Sequence, residues 1–347
     1  MTIPTVSSGL VLVTGGSGYI AQFCIAQLMQ EGWRVRTTVR SHEKANQVRA
    51  SVAKIGAEPA AIEFVKADLN SDQGWDQAVA GADYVLHVAS PVPANPTRDD
   101  ELIGPARDGT LRVLKAALDA GVKRVVLTSS ISAIMYGRGT RAVPFTESDW
   151  TNETNRADSS PYDRSKTLAE RAAWAWHGAQ DGAIELVAIN PGAVLGPVVS
   201  SEFSASINIV KKLLDGSIPG LPRLGFCLVD VRDIARLHVL AMTAPSAAGQ
   251  RFIGSGDFFW MKDVASILKR GLGDKARKVP SLVLPDILVR AFAIFDPILR
   301  TRLYELGKER RVSSDKARQT LGWATRPAPE SILDAARSLE AEAVVTL

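Results

Sequence analysis

A glycine-rich turn between a short apolar strand and a helical pattern is the feature that most constrains this chain. The strand candidate Leu10–Val13 runs directly into Thr14-Gly15-Gly16-Ser17-Gly18-Tyr19-Ile20-Ala21. The helical pattern that follows has apolar residues at positions i, i+3, i+4 and i+8, namely Ile20, Phe23, Cys24 and Leu28, and ends at Gly32. The sequence therefore predicts a βαβ unit that begins with a tight turn.

The glycines of this turn fit a phosphate-binding role. Glycine permits a tight turn, and it lets backbone N–H groups approach a pyrophosphate at the helix start. The residues fit two spacings, Gly15-x-x-Gly18-x-x-Ala21 and Gly16-x-Gly18-x-x-Ala21. An ordinary loop is the alternative, which the strand before and the helix after it disfavour. We therefore expect a dinucleotide site here.

Short apolar, β-branched runs alternate with longer helical patterns through the first half of the chain. The predicted strands are Leu10–Val13, Val35–Val39, Ile62–Val65, Tyr84–Val88, Arg124–Thr128 and Leu186–Ile189. This alternation is typical of a parallel sheet covered by helices on both faces. We expect an α/β fold with a Rossmann-type doubly wound parallel sheet.

The pattern changes after Pro197, which indicates a second, smaller and mostly helical part for substrate and lid. A helix around Ser206–Leu214 precedes a Pro- and Gly-rich stretch, 216–225, whereas the helix Val231–Met242 and the strand Arg251–Ile253 return to the main domain. The predicted division is sequence-discontinuous: 1–197 plus 227–260 for the dinucleotide-binding Rossmann domain, and 198–226 plus 261–347 for the substrate-binding and lid part.

Composition excludes several other classes of protein. The 347 residues are 46% hydrophobic and 22% charged, enough to bury a large core. Lys and Arg number 41 against 37 Asp and Glu, and a net charge of +4 is too small to predict nucleic-acid binding. Cys24 and Cys227 cannot build a disulfide framework, and no His or Cys spacing predicts a metal site. We expect a reducing, cytoplasmic location.

No membrane segment is expected. Met1–Ser8 lacks the basic region and apolar run of a signal peptide. No stretch reaches the roughly 18 uninterrupted apolar residues of a membrane span. Ser281–Leu299 comes nearest, but Pro285 and Asp296, among others, interrupt it. We expect residues 281–304, together with 198–226, to form a lid instead.

The end of the second strand predicts which dinucleotide binds. An NAD enzyme would place a carboxylate here for the ribose hydroxyls, but the sequence is Thr38-Val39-Arg40. Lys44 follows four residues later, within reach of the same anion if a helical turn starts at Ser41. Two exposed charges are the alternative. The pair favours the 2′-phosphate of NADPH.

Further cofactor contacts are expected where other strands end, because ligands of open α/β sheets collect at the carboxyl ends of the strands. Asp68 and Leu69 follow the third predicted strand. Val88-Ala89-Ser90-Pro91 follows the fourth.

A helix start near residue 160 carries a pair of residues suited to proton transfer. Ser160 is the predicted N-cap, with Pro161 at the first helical position and Asp163 completing a capping box. Tyr162 and Lys166 then share one helix face, and an ammonium beside a phenol stabilises the phenolate and lowers its pKa. Strand Arg124–Thr128 ends in Ser129-Ser130, which can present a hydroxyl to a substrate carbonyl. The spacing Tyr-x-x-x-Lys alone is weak evidence, because it is frequent.

Taken together, these motifs resemble the extended short-chain dehydrogenase/reductase family, in the branch of dihydroflavonol reductases, cinnamoyl-CoA reductases and aldehyde or ketone reductases. The resemblance covers nearly the whole chain. It is carried by Thr14–Ala21, Thr38–Arg40, Lys66–Leu69, His87–Pro91, Val126–Ser130, Tyr162–Lys166, Asn190–Pro197, Asp230–Asp233 and Ser314–Trp323.

The resemblance implies roles for individual residues. Ser130 would orient the carbonyl, Tyr162 would protonate it, and Lys166 would tune Tyr162 and hold the nicotinamide ribose; Ser129 is the less favoured serine. The implied cofactor-binding set is Gly15, Gly16, Ser17, Gly18, Tyr19, Ile20, Arg40, Lys44, Asp68, Leu69, Val88, Ala89, Ser90, Thr128, Tyr162, Lys166, Asn190, Pro191 and Gly192.

Two departures from the plant enzymes bear on the substrate. The long Asn-Trp-Tyr-rich motif of cinnamoyl-CoA reductases is replaced by Pro161-Tyr162-Asp163-Arg164-Ser165-Lys166, which argues against a CoA thioester. The substrate-binding asparagine of dihydroflavonol reductases is missing from Ile131–Tyr136, which argues against a flavonoid. The apolar residues Ile134, Met135, Tyr136 and Phe226 fit either a substrate pocket or the core.

The sequence thus predicts an NADPH-dependent reductase of apolar or aromatic aldehydes or ketones. One alternative is a nucleotide-sugar epimerase or dehydratase with retained NAD, which Arg40 disfavours. Another is an NADPH-sensing regulator without turnover, which has no use for a proton donor. The expected partner is a small carbonyl substrate, and a homodimer is an assembly that the sequence allows.

Overall fold

In the computed structural model, which describes residues 9–91, 99 and 101–346, a seven-stranded parallel sheet carries helices on both faces. Met1–Ser8, the stretch whose composition predicts no signal peptide, lies outside the described residues. The strands are β1 (Leu10–Val13), β2 (Arg34–Val39), β3 (Glu63–Lys66), β4 (Tyr84–His87), β5 (Arg124–Thr128), β6 (Glu185–Pro191), β7 (Ala193–Leu195), β8 (Gly225–Asp230), β9 (Arg251–Gly254) and β10 (Phe258–Trp260).

The helices alternate with the strands in the first half of the chain and dominate the second half. They are α1 (Tyr19–Gln30), α2 (His42–Lys54), α3 (Trp75–Val79), α4 (Ile103–Asp119), α5 (Pro161–Gly178), α6 (Ala205–Leu214), α7 (Val231–Thr243), α8 (Met261–Leu272), α9 (Asp286–Phe292), α10 (Pro297–Arg300), α11 (Asp315–Leu321) and α12 (Ala328–Ala341).

The large sheet has the order β3-β2-β1-β4-β5-β6-β9, so the strand order reverses between β1 and β4. Val11 pairs with Val35 of β2 on one side and with Tyr84 of β4 on the other. All six strands predicted for the first half are confirmed, within two residues at each end. The glycine turn after β1 therefore lies at the reversal point, where ligands of such sheets bind.

Alternation along the strands divides the core between the two faces of the sheet. Val11 and Val13 pack toward α1 and α7, whereas Leu10 and Leu12 pack toward α4 and the end of α5. All four side chains are almost completely buried. Continuous apolar strands of this kind are expected where helices cover both faces.

A second, three-stranded sheet of order β10-β8-β7 was not predicted. Its strands β7 and β10 have three residues each, too few for a periodic pattern to stand out. The stretch 216–225 connects α6 to β8 of this sheet. The boundaries between the two parts of the chain stay a prediction.

The C-terminal part is tied back to the main domain through α7. The Trp323 indole Nε1 donates to the Asp233 carbonyl oxygen at 2.7 Å, and the Arg326 backbone N–H donates to the Asp233 carboxylate at 2.7 Å. Trp323 is 2% exposed. Helix α12 packs on α8 and α6, and its apolar face extends the core.

The next features are the cysteines, possible membrane-spanning helices and possible metal sites. Cys24 and Cys227 are both free and buried. Within residues 9–91, 99 and 101–346, no helix combines the length and the apolar character needed to cross a bilayer. In the same residues, no three His, Cys, Asp or Glu side chains are grouped as metal ligands.

The segment 281–304 has apolar side chains that face solvent. Seven of the eight large hydrophobic residues that are exposed among the described residues lie at 282–295, and Ile287 and Phe295 are 75% and 87% exposed. A backbone bridge between Leu221 and Val283 joins this segment to 198–226. The two segments are thus joined by backbone pairing at this point.

We expect amide hydrogen exchange in 198–226 and 281–304 to slow when NADPH and a substrate analogue are bound together, because closure would cover the apolar side chains and exclude water. Mass spectrometry of exchanged peptides measures this, with helix α12 as the internal control. Unchanged exchange in both segments would remove the lid assignment.

Candidate active site

The turn after β1 is held by hydrogen bonds to the strands on either side of it. Thr14 Oγ1 lies 2.9 Å from His87 Nδ1 and accepts from the Ala89 N–H at 3.0 Å. On the other side, the Gly15 N–H donates to Thr38 Oγ1 at 2.9 Å. These contacts fix the turn at the junction of β1, β2 and β4.

Close packing explains why glycine occupies this turn. Gly15 has a positive φ of 68°, and a Cβ there would lie 2.9 Å from the Ala89 Cβ. A Cβ at Gly16 would lie 2.3 Å from Thr37 Oγ1. Gly18 is the N-cap of α1 and provides no side-chain cap. The first N–H groups of α1 are therefore left for an anion.

The structure separates the two cations predicted to bind a 2′-phosphate. Arg40 directly follows β2, is exposed and makes no hydrogen bond or ion pair within the described part of the chain. Ser41 caps α2, as the predicted helical turn requires. Lys44 Nζ, however, pairs with Glu202 Oε1 at 2.5 Å and donates to Gln47 at 3.1 Å. Of the two, Arg40 has the free guanidinium.

The loop after β4 contacts the glycine turn, whereas the residues after β3 form a loop of their own. Asp68 Oδ1 accepts from the Asn70 N–H at 2.8 Å, so this carboxylate shapes its own loop. Leu69 and Val88 are half-buried. Ala89 packs on Gly15, and Ser90 Oγ accepts from Lys166 Nζ at 3.2 Å. The loop after β4 thus connects the glycine turn to the lysine of α5.

Helix α5 begins as predicted, with Pro161 at its first position. The Asp163 N–H donates to Ser160 Oγ at 3.2 Å, and the Ser160 N–H donates to Asp163 Oδ2 at 2.8 Å. This capping box fixes the first turn, and hence the position of Tyr162. The Tyr304 hydroxyl also donates to Asp163 Oδ2, at 2.6 Å.

Tyr162 and Ser130 come together from different elements. Tyr162 is on the first turn of α5 and Ser130 follows β5, and the two side chains are neighbours in the fold. Burial and the neighbouring Asp163 carboxylate raise the pKa of Tyr162, and the Ser130 hydroxyl only partly offsets them. The lowering expected from Lys166 is not observed, so Tyr162 is a neutral phenol at pH 7. A neutral phenol can donate a proton.

Lys166 lies one helical turn after Tyr162. Its Nζ is 6.0 Å from the centre of the Tyr162 ring, and the side chain is buried. Burial lowers the pKa of Lys166 to about 8, whereas the Glu170 carboxylate acts in the opposite direction. The amine is therefore mostly charged at pH 7 and easily discharged above pH 8.

The end of β6 faces Ser130 from the next strand. Asn190 Nδ2 donates to the Ser130 carbonyl oxygen at 3.0 Å, and Asn190 Oδ1 is buried with no hydrogen-bond partner in the described structure. Pro191 is buried, and Gly192 packs against Ser255 and Cys227. Thr128 lines the small cavity beside Lys166, and its hydroxyl is bonded to His238 Nε2 at 2.7 Å.

Sequence reasoning missed two buried clusters around this site. Glu170 pairs with Arg251 behind Lys166. In the second cluster, the Tyr136 hydroxyl donates to Glu305, which also pairs with Arg302. Glu170 does have a signal in the sequence, because it continues the four-residue spacing of Tyr162 and Lys166. The second cluster joins distant segments and has no local signal.

Comparison with known proteins gives one family model and a consistent set of relatives. The model described as the NAD dependent epimerase/dehydratase family matches residues 11–253. A cinnamoyl-CoA reductase of Medicago truncatula is 33% identical over 341 residues, which cover 95% of each chain. Tetraketide alpha-pyrone reductase 2 of Arabidopsis thaliana is 35% identical over 255 residues, 72% of this chain and 78% of that protein.

A solved structure is similar over the whole fold. The yeast methylglyoxal/isovaleraldehyde reductase Gre2, complexed with NADPH, superposes with a TM-score of 0.80 at 26% identity. The match covers 97% of this chain and 100% of that chain. The C-terminal part is therefore shared as well as the large sheet.

We expect Lys166→Met to raise the free energy of unfolding by about 3 kcal/mol at pH 7, because a buried ammonium is removed. The folded pKa near 8 lies below the ordinary value of 10.5, so the folded amine is destabilised by its charge below pH 8. This cost fades as the pH rises from 8 toward 10.5, since only the unfolded chain then stays protonated.

Urea unfolding at pH 7 and pH 10 measures the effect. The gain should be smaller at pH 10, and the exposed lysine variant Lys262→Met should show no gain at either pH. An equal gain at both pH values would contradict the assignment of a buried charge to Lys166.

Proposed function

The chain belongs to the NAD dependent epimerase/dehydratase family, in the extended short-chain reductase branch of cinnamoyl-CoA and anthocyanidin reductases, and we propose that it reduces apolar or aromatic aldehydes or ketones to alcohols. It is an oxidoreductase that uses NADPH. The proposal adds the substrate class and the residues that act.

The observation that carries the proposal is the meeting of Tyr162 with Ser130, one helical turn from Lys166. Three separate elements contribute: the capped start of α5, the end of β5 and, through Ser90, the loop after β4. A hydroxyl that can hold a carbonyl oxygen, a neutral phenol and a cation are thus brought to one place. These are the groups that protonation of a carbonyl oxygen requires.

In the proposed reaction, Ser130 donates a hydrogen bond to the substrate carbonyl and directs its oxygen toward Tyr162. Bound NADPH supplies the hydride. Tyr162 then gives its proton to the oxygen, and the positive charge of Lys166 stabilises the phenolate that remains. Burial and Asp163 raise the pKa of Tyr162, so the phenol is protonated at neutral pH, as reduction requires.

The residues present fit a nicotinamide dinucleotide. The glycine turn leaves uncapped N–H groups at the start of α1 for the pyrophosphate, and a side chain at Gly15 or Gly16 would collide with its neighbours. The unpaired Asn190 Oδ1 suits the carboxamide of the nicotinamide. Arg40 is proposed to hold the 2′-phosphate, with Lys44 nearby but paired with Glu202.

We propose that the exposed apolar side chains of segment 281–304, among them Ile287, Phe292 and Phe295, cover the aliphatic or aromatic body of the carbonyl compound when the lid closes. A structural relative is named for methylglyoxal and isovaleraldehyde, both small carbonyl compounds. A cytoplasmic location and a homodimer stay predictions.

Tyr162→Phe should lower kcat by about 10²–10⁴-fold, the range typical of a positioned general acid, because the proton donor is lost. NADPH affinity should be unchanged, since the ring and its packing remain. The measurement is NADPH oxidation with a panel of aliphatic and aromatic aldehydes and ketones, with affinity determined separately by NADPH fluorescence.

Tyr84→Phe is the matched control for this variant. It removes a phenol at the start of β4, at the opposite end of the strand from the site, and should keep the original kcat. If Tyr162→Phe retained more than about a tenth of the turnover, a barrier change below roughly 1.4 kcal/mol, Tyr162 would not be the proton donor.

Arg40→Asp should reduce the preference for NADPH over NADH by about 10–100-fold in kcat/KM, because a charge-assisted hydrogen bond to the 2′-phosphate is replaced by repulsion. Arg337→Asp makes the same charge change on α12 and should leave the ratio unchanged. Equal kcat/KM for both cofactors in the unmodified protein would rule out this role for Arg40.

The same assays separate the two alternatives. A nucleotide-sugar epimerase or dehydratase would retain NAD and would not consume NADPH with simple carbonyl compounds. A sensor would bind NADPH without turnover of any compound in the panel. Neither alternative predicts the combination of NADPH consumption and its loss in Tyr162→Phe.

A further inference from the structure

Glu170 is a buried carboxylate that receives four hydrogen bonds behind the proposed site. It is 1% exposed and lies on α5, one turn after Lys166. Its Oε2 accepts from Ser129 Oγ at 2.5 Å and from Asn190 Nδ2 at 2.8 Å. Its Oε1 accepts from Arg251 Nε at 2.7 Å and from Trp174 Nε1 at 3.3 Å. The carboxylate thus joins α5 to β5, β6 and β9.

Two of these donors lie at the strand ends that form the site. Asn190 shares its Nδ2 between Glu170 and the Ser130 carbonyl oxygen, at 2.8 and 3.0 Å. The Ser129 N–H donates to the Ile189 carbonyl oxygen at 2.7 Å, which joins the ends of β5 and β6. A change in the position of Glu170 would therefore move the backbone of Ser130, and with it the hydroxyl that meets the substrate.

Glu170 also sets the electrostatic surroundings of Lys166. The two side chains line one small cavity of about 20 Å³, together with Ser90 and Ser129. His87 on β4 also faces Lys166, but burial lowers the pKa of His87 to about 3, so the imidazole is neutral at pH 7. Arg251 contacts the side of Glu170 that faces β9. Glu170 is thus the negative charge that acts on Lys166.

The charges that act on Tyr162 belong to other residues. Asp163 on α5 raises the pKa of the phenol, whereas Arg302, from the C-terminal part, lowers it. Neither group touches Glu170. Removal of the Glu170 charge would therefore act on Lys166, and it would make the ammonium less favourable relative to the neutral amine.

Stability alone does not explain this arrangement, because a buried ion pair contributes little net free energy once desolvation is included. The hydrogen bonds of Glu170 also hold the strand ends that form the site. We propose that Glu170 is a positioning residue for the proposed reaction: its carboxylate holds the strand end that carries Ser130 and places a negative charge beside Lys166. This inference rests on the proposed function.

Glu170→Gln tests the charge, because it keeps the shape of the side chain. We expect the alkaline decline of NADPH affinity and the alkaline limb of kcat/KM to move down by about one pH unit, the direction that follows when the ammonium of Lys166 loses a neighbouring negative charge. We also expect kcat at pH 7 to fall at least tenfold. NADPH fluorescence titrations and steady-state rates between pH 6 and pH 10 give both profiles.

Glu170→Asp separates charge from position. It keeps the charge but shortens the side chain by one methylene, so both pH midpoints should stay at the original values while kcat falls. Glu185→Gln is the matched control, because it removes the carboxylate partner of the buried Arg124 at the opposite end of β6. It should change neither the midpoints nor kcat.

The outcomes are distinct. A folded Glu170→Gln variant with the original midpoints, whether or not its Tm falls, overturns the inference. Should this variant fail to fold, Glu170→Asp and Ser129→Ala decide, and the original kcat in both overturns it. Because NADPH affinity is measured without turnover, the midpoints decide even if no carbonyl compound is reduced. Retained turnover in Tyr162→Phe would instead count against the proposed function.

Discussion

The site depends on the parallel pairing of β1, β4, β5 and β6, because parallel strands end at the same edge of the sheet. Hydrogen bonds between these strands bring the glycine turn, the loop with Ser90, Ser130 and Asn190 to that edge. The glycine turn, Ser90, Ser130 and Asn190 are far from one another in the sequence. The reversal of strand order beside β1 then opens the space that a dinucleotide needs.

Helix α5 adds the acid and the cation to this edge, and its start is set by local chemistry. The capping box of Ser160 and Asp163 fixes the first turn, on which Tyr162 lies. Helical spacing then places Lys166 and Glu170 on the same face, at successive depths. A neutral phenol therefore lies at the start of the helix, the ammonium lies one turn later, and a buried carboxylate lies one turn beyond the ammonium.

The interaction partners of polar and charged side chains were harder to predict than the elements on which these side chains lie. Lys44 follows the predicted N-cap Ser41, yet its amine pairs with Glu202, 158 residues away. Thr128 ends β5 as expected, but its hydroxyl is bonded to His238 of α7. The pKa of Tyr162 is raised, not lowered, because burial and Asp163 outweigh its other neighbours. The first two outcomes depend on groups that approach from other elements, and the third depends on burial, which the fold as a whole decides.

The sequence by itself determined the features that depend on short range: the six strands of the first half, the glycine turn, the capped start of α5 and the spacing of Tyr162 and Lys166. These follow from periodicity, backbone conformation and local hydrogen bonds, which a few neighbouring residues specify. The tertiary structure alone decided the small second sheet, the partner of Lys44 and the network around Glu170. Pairing of short strands and burial of charge are long-range interactions, and their energies depend on residues that the chain brings together only when it folds.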